Sequence, residues 1–392
     1  MRALHVARAL RDVGDVEIIV VDGEGKGAEW SSRPEKEFKV AGAVSVSPRP
    51  NNSLAKKVQW ALNPRTYYPH GCGVDDEAMK QVLRTAQECD LIWFCKLRTP
   101  NMFPRWAWDR SVADIDDVPS TFEKSVWHSE RRVTQRLAAA RRFLSWRRRD
   151  RLLGDRFTVL SVCSDADKRY LRSIGIKSPL YVIPNGFDRP KEELPRRPAI
   201  PPRLGFIGIF DYEPNLEGIR WFARYCWPLI KVAVPEARLR LVGRHSNGPL
   251  KPSGRDIDGL GWVEEAAEEI ATWSAMVVPI QQGAGSRGKI AHAFSLKCPI
   301  VSTTLGAHGY ECVSGREMYI SDSAEAFANA CVRAIREPAE AAAMAERGWQ
   351  QFLNKWTWEA IAPSVCQAAE DCLRRSSGDI KSNGSLFVDD RG

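Results

Sequence analysis

The sequence predicts an α/β protein built from two parallel-sheet domains, and three observations carry that prediction. Strand-like and helix-like segments alternate along the chain, as they do when helices form the crossovers between parallel strands. The alternation is interrupted once, at Arg189 to Arg203, where Pro190, Pro195, Pro198, Pro201 and Pro202 sit among charged residues. So many prolines exclude a helix or a central strand and leave an extended linker. Beyond it the alternation restarts and leads into Gln282-Gly283-Ala284-Gly285-Ser286-Arg287-Gly288-Lys289, a run of small residues that opens a helix.

Before the linker the strand candidates are Val16–Val21, Phe38–Val46, Leu91–Cys95, Val112–Ile115, Phe157–Cys163 and Leu180–Ile183. After it come Leu204–Ile209, a helix from Asn215 to Val232, Arg238–Val242, Met276–Pro279, the helix opening at Ser286, and Pro299–Ser302. Helical patterns follow at Ala324–Arg336, Ala339–Asn354 and Trp358–Arg374. The tail beyond Ser376 is polar and rich in Gly and Ser, which reads as disorder. Met1–Leu10 is itself helix-like, with Leu4, Val6, Ala7 and Leu10 apolar. A doubly wound domain usually opens with a strand, so the expectation is a misassigned start or a domain without its first strand.

A chain of 392 residues with 44% hydrophobic and 27% charged residues accommodates two ordinary cores. No apolar run approaches the roughly 18 residues needed to cross a bilayer, and no signal peptide is evident. The ten cysteines form no C-x-x-C pair, which reads as reduced cytosolic thiols. A net charge of +8 points to an anionic partner: nucleic acid, a phospholipid surface or a phosphorylated small molecule.

The glycine-rich run narrows that choice. Arg287 and Lys289 fall in the first turn of a helix, where the macrodipole favours negative charge. The placement makes sense if an anion sits among them, held also by backbone N–H groups that glycines allow to approach closely. Leu204-Gly205-Phe206-Ile207-Gly208 ends a buried strand in a glycine and is followed by a long helix, a frequent site for a nucleotide. Val182 to Asp188 contains Pro184 and Asn185-Gly186 and reads from the residues alone as a strand stop.

In this order the segments resemble the retaining glycosyltransferases of the GT-B fold, family 4, the glycosyl transferases group 1. The matching residues are Ile183–Asp188, Gly208 to Asn215, Arg238–Arg244, Gly283–Lys289, Ala291 to Val301, Thr303 to Gly309 and Trp356-Thr357-Trp358. The resemblance covers nearly all of residues 150 to 375. It implies two Rossmann-like doubly wound domains facing a cleft: residues 1–188 on the acceptor side, a linker at 189–203, and a nucleotide-sugar domain at 204–356. A helix at 357–375 would pack back on the first domain, leaving a tail at 376–392.

It implies an enzyme that is cytoplasmic or peripheral at the inner face of the membrane and moves a sugar from a nucleotide-diphosphate sugar to a polysaccharide or lipid-linked acceptor with retention. No cofactor and no metal are expected. Arg287 and Lys289 would be catalytic, stabilising charge on the departing nucleotide. Gly208, Asn215, Gly243, Arg244, Gly283, Gly285, Ser286, His292 and Gly306 would bind the donor. The family commonly carries two glutamates where this chain has Ala284 and His292. That departure keeps open a non-catalytic relative that binds nucleotide sugar or acts in a complex. His292 lies three residues after Lys289, on the same helix face. It is expected to gain charge beside the phosphates near pH 6 to 7, its pKa raised by them.

Asp114-Ile115-Asp116-Asp117 looks like a D-x-D metal motif but ends a strand of the acceptor-side domain, so Asp116 and Asp117 read as structural or acceptor-binding groups. His128 is a further acceptor-side candidate. Arg131 to Arg156 holds ten arginines against two aspartates, with Val133, Leu137, Ala140 and Leu144 on one helical face. Without aromatics at base-stacking spacing this excludes nucleic acid as the favoured partner. It leaves an amphipathic helix on anionic lipid or a solvated helix tied down by local acids.

Overall fold

The computed structural model describes residues 2–22, 37–48, 58–60, 62–65, 72–74, 76–103, 105–130 and 132–382. His70, Arg131 and residues 383–392 of the expected tail lie outside the described residues. The chain divides into two compact units. Unit 1 comprises Met1–Ser120, Leu144–Ile183 and Ala362–Gly392, and unit 2 comprises Thr121–Phe143 and Pro184–Ile361.

In unit 1, α1 (Arg2–Leu10) precedes β1 (Glu17–Asp22), which pairs in parallel with β2 (Lys39–Pro48). The short β3 (Cys72–Val74) pairs antiparallel to β2, and α2 (Asp76–Glu88) follows. A second, all-parallel sheet runs β4 (Ile92–Phe94), β5 (Trp108–Ile115), β6 (Phe157–Val162) and β7 (Leu180–Val182) in spatial order. Between β5 and β6 come α3 (Pro119–Ser129), α4 (Val133–Asp150) and α5 (Leu153–Arg156); α6 (Asp165–Ser173) joins β6 to β7. Strand β6 and the second half of β5 are buried on both faces. Trp108 anchors the core, its ring edge-on to Phe94 at 5.0 Å and to Phe103 at 5.8 Å. Helix α6 starts where the Ser164 hydroxyl accepts the Asp167 N–H at 3.0 Å, an N-cap of the usual chemistry.

Unit 2 opens on β8 (Arg203–Ile207), followed by α7 (Glu213–Trp221), a π-turn at Phe222–Cys226 and α8 (Trp227–Ala233). The break in the long helix expected here has a cause. Pro228 has no N–H to give the preceding turn, and the backbone adjusts by widening locally. Then come β9 (Arg238–Val242), β10 (Ile257–Gly259), α9 (Ala266–Ala271), β11 (Ala275–Val278), α10 (Gly288–Ser295), β12 (Ile300–Ser302) and β13 (Tyr319–Ile320). The six parallel strands lie in the order β10-β9-β8-β11-β12-β13. Counted from β8, this is the doubly wound order in which the chain reverses direction across the sheet between its first and fourth strands. Two cores flank it, one around Phe206, Phe222 and Phe327, the other around Trp273, Phe294 and Phe352.

Helices α11 (Ala324–Arg336), α12 (Pro338–Lys355) and α13 (Trp358–Ser382) complete the described chain. The helix therefore continues through residues 377–382, six positions into the segment expected to be disordered. The Pro-rich segment is not free of unit 2. The Arg197 and Ala199 N–H groups donate to the Ala271 and Thr272 carbonyls, each at 2.9 Å.

Candidate functional site

The reversal point of the unit 2 sheet lies between β8 and β11, and the loops leaving the carboxyl ends of these strands carry the residues of interest. From β8 the chain passes through Gly208 into α7; from β11 it passes through Gly283 and Gly285 into α10. Neighbouring loops pack tightly here. Gly243, after β9, has φ +120°, and a Cβ built on it would lie 2.1 Å from the Gly208 carbonyl oxygen. Only glycine permits that approach. Gly283 has φ +129°, and a Cβ there would lie 2.5 Å from an Arg287 guanidinium nitrogen, so the loop closes over its own arginine.

Arg287 caps α10 in extended conformation, and its guanidinium donates to the Ala284 carbonyl and, at 3.3 Å, to the Gly285 carbonyl. Lys289 stands in the first turn, half-buried. Its ammonium donates to Asn215 Oδ1 at 2.8 Å and lies 3.9 Å from the centre of the Phe206 ring. Asn215 in turn donates to the Ile209 carbonyl at 3.0 Å, so one amide links the loop after β8 to the lysine after β11. Desolvation, with the Arg287 charge adding to it, holds the Lys289 amine well below the usual lysine range. Two cations thus gather at a helix start, and Asn215, which accepts from Lys289, carries no charge.

Around this pair lie groups that local sequence did not reveal. The Ser125 hydroxyl, on α3, accepts the Gly283 N–H at 2.8 Å. Asn185 donates to the Ser286 hydroxyl at 3.2 Å. The Tyr310 hydroxyl donates to the Arg287 carbonyl at 2.9 Å and accepts the Ala291 N–H at 3.3 Å, fixing the start of α10. None of these has a local signal, because each meets the loop from a distant part of the chain.

His292 has an aromatic neighbour that the sequence did not indicate. Its ring stacks on Phe187 with centroids 4.4 Å apart and planes 20° from parallel. Burial pushes its pKa down to about 4. In the protein by itself the imidazole is therefore neutral across the range in which it was expected to charge. Ala284 is buried in the loop and adds no polar group.

Two other expected donor residues have partners of their own. Arg244 is exposed and pairs with Asp211 at 3.4 Å. The Gly306 N–H donates to the Thr303 hydroxyl at 2.9 Å, in the turn that follows β12.

On the other expected side, Asp114 is engaged by a partner the sequence did not indicate. Arg2 binds both its carboxylate oxygens, at 2.8 and 2.7 Å, and also donates to the Ile183 carbonyl at 2.8 Å. The Ser161 hydroxyl donates to the same carboxylate at 2.7 Å. Asp116 is half-buried and accepts from the Cys163 thiol at 3.2 Å, whereas Asp117 is exposed. His128 is exposed, bonded through Nδ1 to the Lys124 carbonyl of its own helix at 2.7 Å. It belongs with unit 2, not with the unit that carries Asp116 and Asp117.

The arginine-rich stretch also divides. Arg149 is buried, its guanidinium 4.2 Å from the Trp60 ring and bonded to the carbonyls of Trp60, Asn63 and Pro64. Arg156 is buried against Trp106 and Phe157. These two are packing residues and cannot face a lipid surface.

A family model described as glycosyl transferases group 1 matches residues 201–337, which run from the end of the Pro-rich segment through β8 to α11. No curated protein matches the chain. Among solved structures, HepE from Anabaena, in complex with UDP and glucose, is similar with a TM-score of 0.61 at 14% identity, covering 94% of each chain. A mutant of S. aureus TarM, in complex with fondaparinux, alpha-GlcNAc-glycerol and UDP, has a TM-score of 0.62 at 9% identity, covering 94% of this chain and 96% of that one. WaaG, a glycosyltransferase involved in lipopolysaccharide biosynthesis, has a TM-score of 0.56 at 13% identity over 93% and 94%. At these identities the likeness is one of fold. The chain has the GT-B fold, and its units are Rossmann-like.

Proposed function

We propose that the protein is a glycosyltransferase that takes a sugar from a nucleotide-diphosphate sugar held by unit 2 and transfers it with retention of configuration. The observation that carries this reading is the Lys289–Arg287 pair at the reversal point of a doubly wound sheet, within the region matched by the glycosyl transferases group 1 model. The diphosphate would lie against the start of α10. Lys289, already positioned by Asn215, would donate to a phosphate oxygen, and the Arg287 guanidinium would turn from its loop carbonyls to the other phosphate. As the bond between sugar and phosphate breaks, negative charge grows on the departing diphosphate, and the two fixed cations stabilise it. This is work a divalent ion could do, so the reading includes turnover in the presence of a chelator. The UDP complexes of HepE and TarM support a uridine nucleotide as the first donor to try. The acceptor proposed is a polysaccharide or a lipid-linked sugar, in keeping with the fondaparinux complex of TarM and the role named for WaaG.

A thermal-shift screen over nucleotide sugars tests the donor. A ligand at 100 times its dissociation constant stabilises the folded state by about 2.7 kcal/mol. Proton NMR of the product then reads the anomeric configuration, and inversion would refute retention. Stabilisation by a nucleotide sugar without hydrolysis or transfer would identify the protein as a non-catalytic binder. No stabilisation by any nucleotide diphosphate would remove the reading altogether.

A further inference from the structure

The run from Gln281 to Arg287, between β11 and α10, is held by side chains that reach it from elsewhere in the chain. Gly283 and Gly285 stand at φ +129° and +72°, and glycine leaves more conformations open than any other residue. Such a loop keeps one shape only where something outside it fixes its peptides. Asn185 and Tyr310 hold its far end, at the Ser286 hydroxyl and the Arg287 carbonyl. Its near end is held by α3.

Ser125 makes that contact with a fixed polarity. Its hydroxyl donates to the Phe122 carbonyl at 2.7 Å, one turn back on α3. With the proton so committed, a lone pair is left to accept the Gly283 N–H at 2.8 Å. One turn further along α3, on the same face, the Ser129 hydroxyl stands 3.5 Å from Gln282 Oε1. Residues 121–143 and the loop belong to the same unit.

The held peptide bears on Arg287. A Cβ on Gly283 would lie 2.5 Å from the guanidinium, so that group lies directly against the glycine. It also donates to the next two carbonyls, of Ala284 and Gly285. Lys289 is placed separately, by Asn215 and the Phe206 ring. We propose that Ser125 is a positioning residue for the transfer: it fixes the Gly283 peptide and, through it, where the Arg287 guanidinium stands. This role rests on the reading of the Lys289–Arg287 pair as the diphosphate site. Loosening the loop leaves Lys289 in place to bind the donor. It spoils the alignment of Arg287 with the charge that grows as the bond breaks, so turnover suffers more than binding.

The test compares Ser125→Ala and Ser125→Thr with the parent, all as the full chain. Alanine is a good helix former, threonine keeps the hydroxyl, and both variants are expected to melt within a few degrees of the parent. Hydrogen exchange of the peptide spanning 280–287 is read by mass spectrometry without ligand. One amide is expected to exchange roughly tenfold faster in Ser125→Ala and at the parent rate in Ser125→Thr. Turnover is then measured with the nucleotide sugar that the thermal-shift screen selects. Ser125→Ala is expected to lower kcat about 10- to 100-fold with KM within about threefold of the parent, and Ser125→Thr to restore kcat. Unchanged exchange in Ser125→Ala overturns the proposal whatever the donor does. A kcat within about threefold of the parent overturns it too, because the hydroxyl then serves the fold or donor binding alone. A Ser125→Thr variant as slow as Ser125→Ala, with exchange at the parent rate, would separate the contact from turnover and also overturn it. A parent protein that turns over no nucleotide sugar is a different failure. It removes the transferase reading and this role with it, whereas the variant results leave that reading in place.

Discussion

Replacing Lys289 by Met separates binding from stability, because the two effects have opposite causes. The methionine keeps most of the stem that lies against Phe206 and removes the ammonium. In the free protein that ammonium is desolvated, sits near the Arg287 charge and donates to Asn215 Oδ1. Losing it leaves Asn215 Oδ1 without that donor, a cost of about 1 kcal/mol, while relieving the repulsion from Arg287. The melting temperature should therefore move by no more than a few degrees.

With a diphosphate present the balance differs. A charge-assisted hydrogen bond to phosphate contributes roughly 1.5–3 kcal/mol, so the dissociation constant should rise by about 10- to 150-fold. The pH dependence gives a second readout. Because the folded-state pKa of Lys289 lies below its unfolded value, the unfolded chain binds more protons in the window between them, and stability rises with pH there. Phosphate reverses the shift, so donor binding takes up a proton and weakens as pH rises through that window. Calorimetry in buffers of different ionisation enthalpy measures the uptake directly, and Lys289→Met should abolish it. An affinity change under threefold, or unchanged proton uptake in the variant, would refute the assignment of Lys289 to the phosphate.

Three further outcomes are expected. Asp150 is buried, accepts the Ser120 N–H at 3.1 Å, and has its pKa pushed by burial up to about 7. The unfolded carboxyl loses its proton near 4, so this group's contribution to stability falls as pH rises from about 4 to 7, by on the order of 4 kcal/mol in full. Thermal melts of Asp150→Asn should show that dependence flattened, and an unchanged pH profile would contradict it. His292, held near 4 by burial, should show no titration between pH 5.5 and 8 in the ligand-free protein, which the chemical shift of its ring protons reports. A midpoint near 6.5 would mean the stack on Phe187 is not maintained. Gly243→Ala must find room for a methyl 2.1 Å from the Gly208 carbonyl oxygen at φ +120°. It should cost several kcal/mol of stability and displace the loop after β8, with urea melts and donor titration as the measurements.

The sequence revealed those parts of the fold that depend on continuous runs of residues. Strand β11 is an apolar run buried along its whole length, and the glycine-rich loop announces α10 through its composition. What it did not reveal depends on contacts made at long range. The strands β3, β10 and β13 span three, three and two residues, too few to display a period. Ser125 reaches Gly283 across 158 positions, and nothing near either residue announces the other. Arg149 and Arg156 read as members of a solvated basic run because their carbonyl and aromatic partners are set by tertiary packing. Asp114 resembled a metal ligand for the same reason, its arginine partner lying 112 residues away. His292 read as sharing a helix face with Lys289, but the ring that stacks on it, Phe187, arrives from the turn after β7.

The way the chain is shared between its units bears on how it is made. Unit 1 is assembled from three stretches, the last beginning at Ala362. There Tyr181 donates to Asp371 at 3.2 Å and the Cys366 thiol to the Ala9 carbonyl at 3.3 Å. Synthesis proceeds from the N-terminus, and domains fold as their residues emerge. Everything unit 2 needs has been made by residue 361, whereas unit 1 must wait for residues that follow. The unit that begins the chain is therefore the second to be finished. In the interval its two sheets lack the final helix, and that nascent state is where exposed apolar surface and chaperone dependence should concentrate.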